Sequence, residues 1–62
     1  MLPPERQSFI LGKLADAESV RTMELAAALD VTDETIRKDL EILEQRGELH
    51  RIHGGAVKPN QA

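Results

Sequence analysis

The stretch Val31-Thr32-Asp33-Glu34-Thr35-Ile36-Arg37-Lys38-Asp39-Leu40 limits what this chain can fold into more than any other. Thr32 is a helix-capping residue, because its hydroxyl can accept the main-chain N–H groups that a helix leaves unpaired at its start. Ile36, Leu40 and Leu43 follow at helical spacing and form one apolar stripe. Gly47 closes the segment, since glycine adopts the left-handed conformation that ends a helix at little steric cost. One side of this helix belongs in a core. The flank away from the stripe carries a threonine, an arginine and a lysine.

What precedes it reads as two shorter helices. Pro3-Pro4 suits the entry to a helix, where a missing N–H costs nothing, and Glu5 complements the dipole. From Arg6 to about Ala17, the residues Ile10, Leu14 and Ala17 fall four and three apart, and Phe9 and Leu11 widen the stripe. Gly12 in the interior is a local cost of up to ~1 kcal/mol against alanine. Ser19-Val20-Arg21 is long enough for a brief strand only. Thr22 is read as the N-cap of a second helix, Met23 to Leu29, with Leu25, Ala26 and Leu29 facing inward. Asp30-Val31 is then a tight connection to the third helix.

After Gly47, two short runs, Leu49 to His53 and Ala56 to Lys58, flank Gly54-Gly55. A glycine pair between short runs predicts a hairpin turn, because the favoured two-residue turns need positive φ. Residues 1–58 are expected to form the domain, and residues 59–62 a linker or disordered tail. The fold class is therefore α+β and mostly α: three helices plus a small hairpin, with a possible third strand near Ser19–Arg21. Helix, helix, tight turn, helix, hairpin is the order of a winged helix-turn-helix. That order alone leaves DNA binding and protein contact both open.

Composition narrows the classes. A chain of 62 residues makes one small domain, near the size at which a core can still fold unaided. It has no cysteine, so neither a disulfide framework nor a thiolate metal site exists, which suits a reducing cytoplasm. No apolar run approaches a membrane span and the start lacks signal-peptide order, so no membrane partner is expected. His50 and His53 lie three apart but lack a third ligand nearby, so no metal or other cofactor is expected. A Gly-rich phosphate loop and a nucleophile with a base are both missing, and so small a domain has little room for a sheltered pocket; no enzyme is expected. The net charge of −3 is unusual for a duplex-binding protein. Any positive surface must come from geometry.

The residues also resemble a known family, the DeoR-type bacterial transcription repressors. The likeness runs through Arg6, Ile10 and Leu14, then Thr32 and Thr35-Ile36-Arg37-Lys38-Asp39-Leu40, to Gly47, Leu49, Arg51 and His53-Gly54-Gly55-Ala56. It implies a winged helix-turn-helix whose third helix enters the major groove of double-stranded operator DNA, with the hairpin as a wing against the backbone. It further implies a following domain that senses a phosphorylated sugar and helps the parent protein form a homo-oligomer. No such domain lies within these residues, so the chain is expected to be the DNA-binding part alone, monomeric by itself. Location is expected to be cytoplasmic and at the bacterial nucleoid. Lys38 stands where the family commonly has arginine, and Glu34 where it varies.

On a wheel of ~100° per residue, Glu34, Lys38, Glu41 and Gln45 point away from the core, with Thr35 and Arg37 on the two flanks. Recognition helices reach base edges from such positions in their N-terminal half. Arg37 is the candidate for a guanine edge or a phosphate, Lys38 for a phosphate ahead of a base edge, and Thr35 for a thymine methyl or a phosphate. Thr22 and Thr32 are expected to position the helices on the backbone. In the wing, Arg51 and His53 are the donors, and Gly54 and Gly55 let main-chain N–H groups approach a phosphate. Asp39 lies beside the core stripe and is read as the partner of Arg6 or another cation. A winged helix used for protein contact, through the acidic excess, is the rival reading.

Overall fold

A computed structural model describes residues 2–59. The first helix, α1, spans Pro3–Ala17, with the proline entry and Glu5 forming the turn ahead of the periodic run from Arg6. The two prolines occupy its first positions, and the Glu5 carboxylate accepts the Leu2 N–H at 3.0 Å, which satisfies the entry. Ile10 and Leu14 are buried as expected, but Ala17 is exposed and Gln7 takes its place on the inner stripe. The helix stops immediately after Ala17, where Glu18 turns left-handed at φ 68°, so the stripe leaves the core there.

Strand β1, Ser19–Arg21, forms where a brief strand was anticipated, with Val20 alone facing inward. Helix α2 spans Thr22–Leu29, and its N-cap is Arg21, not Thr22. The reason is tertiary: the Thr22 N–H already donates to the Gly54 carbonyl at 2.9 Å, so the chain enters helical geometry one residue early without a side-chain cap. Leu25 and Ala26 are buried, and Leu29 packs half-buried against the core. Helix α3, Asp33–Gln45, carries the expected stripe of Ile36, Leu40 and Leu43. It ends in a full left-handed closure: Gly47, at φ 78°, donates to Glu44 O, and Glu48 donates to Leu43 O. This reversal turns the chain back along α3 and drops Leu49 into the core.

The wing is β2, His50–Ile52, and β3, Gly55–Val57. All pairings are antiparallel in the order β1-β3-β2, with Val20 opposite Ala56 and Arg51 opposite Ala56 on the other side. The glycine pair is not the turn. Ile52 pairs with Gly55, so His53 and Gly54 form the two-residue connection, with only Gly54 at positive φ (83°). Gly55 sits inside the central strand, and a Cβ there would overlap the Val20 carbonyl and stand 3.0 Å from Val20 C and 3.1 Å from Arg21 Cα. Close approach of β1, not the turn, demands the second glycine. The linker expected at 59–62 lies, apart from Pro59, outside the described residues.

Together these elements make a winged helix-turn-helix. Behind α3, Asp39 is 2% exposed and receives both Nε and Nη2 of Arg6 on α1, the second at 3.1 Å. The hydrogen bonds to Asp39 hold the Arg6 guanidinium above its ordinary pKa, against the opposing effect of burial. Gln7 adds a weak bond to Asp39 and accepts from Arg46, so one polar network cross-links α1 to α3 and to the residue that caps its end.

Candidate nucleic-acid interface

Thr32 caps α3: its Oγ1 accepts the Thr35 N–H at 3.2 Å and lies 2.9 Å from Thr35 Oγ1. The two expected contact threonines thus bond each other at the tip of the helix. Thr32→Ala should destabilise the domain by about 1 kcal/mol, the usual worth of such a cap, and free the Thr35 hydroxyl. A thermal melt of the variant reads the first effect. A destabilisation of only ~0.2 kcal/mol would mean that the exposed cap bond is replaced by water without loss.

The structure divides the remaining candidates into two sets. Lys38 is exposed on the outer face of α3, with Glu34. Arg37 lies on the flank toward the wing and lines an open cleft of about 760 Å³ between the start of α2, α3 and the hairpin. Thr22, Arg51, His53, Gly54 and Gly55 line the same cleft. Arg37, Arg51, His53 and Gly54 are exposed. Thr22 and Gly55 are buried in its floor, so the structure places them beneath the surface that Gly54 and His53 present. Arg21 and Asp33, which lie outside the expected contact set, also border the cleft.

The wing is fixed to α3 by two acids of that helix, Glu44 and Glu41. Glu44 accepts the Arg51 N–H at 2.9 Å, and His50 Nδ1 lies 3.9 Å from the same oxygen. Glu41 sits 4.0 Å from Arg51 Nη1, with both side chains well exposed. Such a pair contributes little to stability. The signal for this arrangement was present in the Gly47 reversal, which folds residues 50 and 51 back onto the last turns of α3. Asp33 and Glu34, in the first turn, suit the helix dipole.

The same residues are matched by sequence comparison with known proteins. The model of the DeoR-like helix-turn-helix domain matches residues 6–62. The chain belongs to this family. It is 43% identical to a Bacillus subtilis protein described as the uncharacterized HTH-type transcriptional regulator FruR, over 94% of this chain and 23% of the relative. It is 42% identical to the glycerol-3-phosphate regulon repressor of Haemophilus influenzae, over 92% of this chain and 22% of that protein. With the lactose phosphotransferase system repressor of Staphylococcus epidermidis it shares 55% identity, over 61% of this chain and 15% of that protein. The DeoR-type chain spans less than a quarter of the length of the curated relatives it matches. No solved structure matches it. No helix among the described residues is long and apolar enough to cross a membrane.

Proposed function

We propose that this domain binds double-stranded DNA sequence-specifically, as the operator-reading module of a transcriptional repressor. The observation that carries this reading is the convergence of Arg37 with the wing's Arg51 and His53 around one cleft, in a domain whose net charge is −3. Few basic residues serve a duplex only if they are gathered, and here α3 and the wing gather them beside the exposed N-terminal half of α3. Helix α3 then occupies the major groove, where Thr35 and Arg37 meet base edges and Lys38 and Thr32 meet the backbone. His53 and Gly54 approach a phosphate from the wing. Thr22 and Gly55 support that approach from below, because Thr22 ties α2 to the wing tip and Gly55 lets β1 close on β3.

The relatives' names add context for the parent protein. Two are described as a glycerol-3-phosphate regulon repressor and a lactose phosphotransferase system repressor, which supports a regulator of sugar metabolism; with it we propose a homo-oligomeric parent whose further domain binds a phosphorylated sugar, acting in the cytoplasm on the nucleoid. Alone, the domain is expected to be monomeric and to bind weakly, since the avidity of a tethered second copy is lost. With about 3–5 phosphate contacts, log K should fall with log salt at roughly −0.9 per contact.

The test is an NMR titration with duplex DNA selected from a randomised pool. Shifts should concentrate in residues 32–38 and 51–54. Shifts confined to the opposite face, or none at low salt, would sink the reading in favour of a protein-contact role. Arg37→Ala should cost about 1–3 kcal/mol on the selected duplex and relax sequence preference at one position, whereas Lys38→Ala should weaken all duplexes alike. Equal losses on every sequence for Arg37→Ala would reassign Arg37 to a phosphate.

A further inference from the structure

We infer that Arg21 is a second positively charged arm of this interface, contacting a phosphodiester of the DNA backbone at the start of α2. The inference rests on the DNA-binding reading above and extends it to a residue outside the recognition helix and the wing. The chain has five arginines. Arg6 is bound to Asp39, Arg46 reaches Gln7 and Glu48, and Arg51 faces Glu41. Among the described residues, Arg21 and Arg37 are the two arginines without a carboxylate within 4.0 Å, and both line the same cleft. A solvated arginine at a strand end is ordinary by itself. In a domain with three more acids than bases, two unneutralised guanidiniums sharing one cleft are where an anion is drawn.

Placement decides which part of DNA Arg21 meets. Val20 points into the core, so Arg21, next along β1, projects outward. It is held firmly there: Arg21 pairs with Gly55, and the following Thr22 N–H bonds to Gly54 at the wing tip. Glu24, the nearest acid along α2, is exposed and forms no ion pair with it. When the second helix of the motif lies in the major groove, the first crosses the sugar-phosphate backbone. The residue that opens α2 therefore faces a phosphate, and a guanidinium suits its paired oxygens.

The experiment compares the wild-type chain with Arg21→Gln and Arg21→Lys, by fluorescence anisotropy on two labelled duplexes across a series of salt concentrations. One duplex is of mixed sequence, and the other is the best recovered from a randomised pool by the wild type. Arg21→Gln should weaken both in the same proportion and reduce the salt slope by about 0.9, with its melting temperature unchanged, while Arg21→Lys should keep the slope. An unchanged slope for Arg21→Gln, with wild-type binding intact, overturns the role of Arg21 and leaves the DNA reading standing. A loss on the selected duplex alone makes Arg21 a base contact and overturns the phosphate assignment. If the wild type binds neither duplex at low salt, the DNA reading itself falls and this inference with it.

Discussion

Arg6→Ala should unfold most of the population of this domain at ordinary temperature. The substitution removes the partner of Asp39, which is 2% exposed and receives two guanidinium nitrogens in the intact protein. Breaking a buried pair from one side costs about 3–5 kcal/mol, because the remaining charge is left without water or a partner. A single core in a chain this short rarely provides more than ~3–5 kcal/mol in total. The two magnitudes are equal, so the loss is decisive. Removing the other partner should be milder. The Arg6 side chain keeps 13% of its surface in water, so Asp39→Asn should cost nearer ~2 kcal/mol, the worth of hydrogen bonds to a charged group. Replacing both with leucine should recover much of the stability, since an apolar pair leaves nothing uncompensated. Urea melts followed by circular dichroism read all three. Equal destabilisation by Arg6→Ala and Asp39→Asn would show that packing of the arginine stem, not the stranded carboxylate, sets the cost.

That pair was legible in the sequence, and it shows which kind of information a short chain carries. Asp39 lies beside the stripe of Ile36, Leu40 and Leu43, so helical phase alone places a carboxylate at the edge of the core, where it needs a cation. The cap at Thr32 and the closure at Gly47 were legible for the same reason: each is decided within four or five residues. What was not legible came from elsewhere in the fold. Thr22 has the chemistry of a cap, but the wing carbonyl of Gly54 takes its N–H, and no local rule contains that contact. Gln7 is polar, yet Asp39 and Arg46 supply its partners and draw it inside. The cleft itself joins Arg21, Arg37 and Arg51 from three separate elements, so charge counted along the chain, which is acidic, could not reveal it.

The wing glycines carry the same lesson to a measurable end. Gly55→Ala should destabilise the domain by more than about 3 kcal/mol, beyond the ~1–3 kcal/mol of ordinary overpacking, whereas Gly54→Ala should cost only about 1–2 kcal/mol. The sequence presents them as an equivalent pair. At Gly54, φ is 83° but no atom lies within 4 Å of a new Cβ, so the penalty is that of left-handed backbone alone. At Gly55 the backbone conformation is open to any residue, but the new atom meets the Val20 carbonyl, Val20 C and Arg21 Cα. All three belong to main chain, and none can rotate aside as a side-chain end would. Relief requires β1 to move off β3, which withdraws Val20 from the core, breaks the register opposite Ala56 and loosens the Thr22 bond to the wing tip. Hydrogen exchange should therefore report lost protection through β1 and the start of α2 in Gly55→Ala, and only at the wing tip in Gly54→Ala. Similar melting temperatures for the two variants would mean that the turn, not the approach of β1, is what the second glycine serves. Because β1 carries Arg21 to the edge of the cleft, the same displacement would separate Arg21 from Arg37, so DNA affinity should fall in Gly55→Ala even under conditions where the helices remain folded.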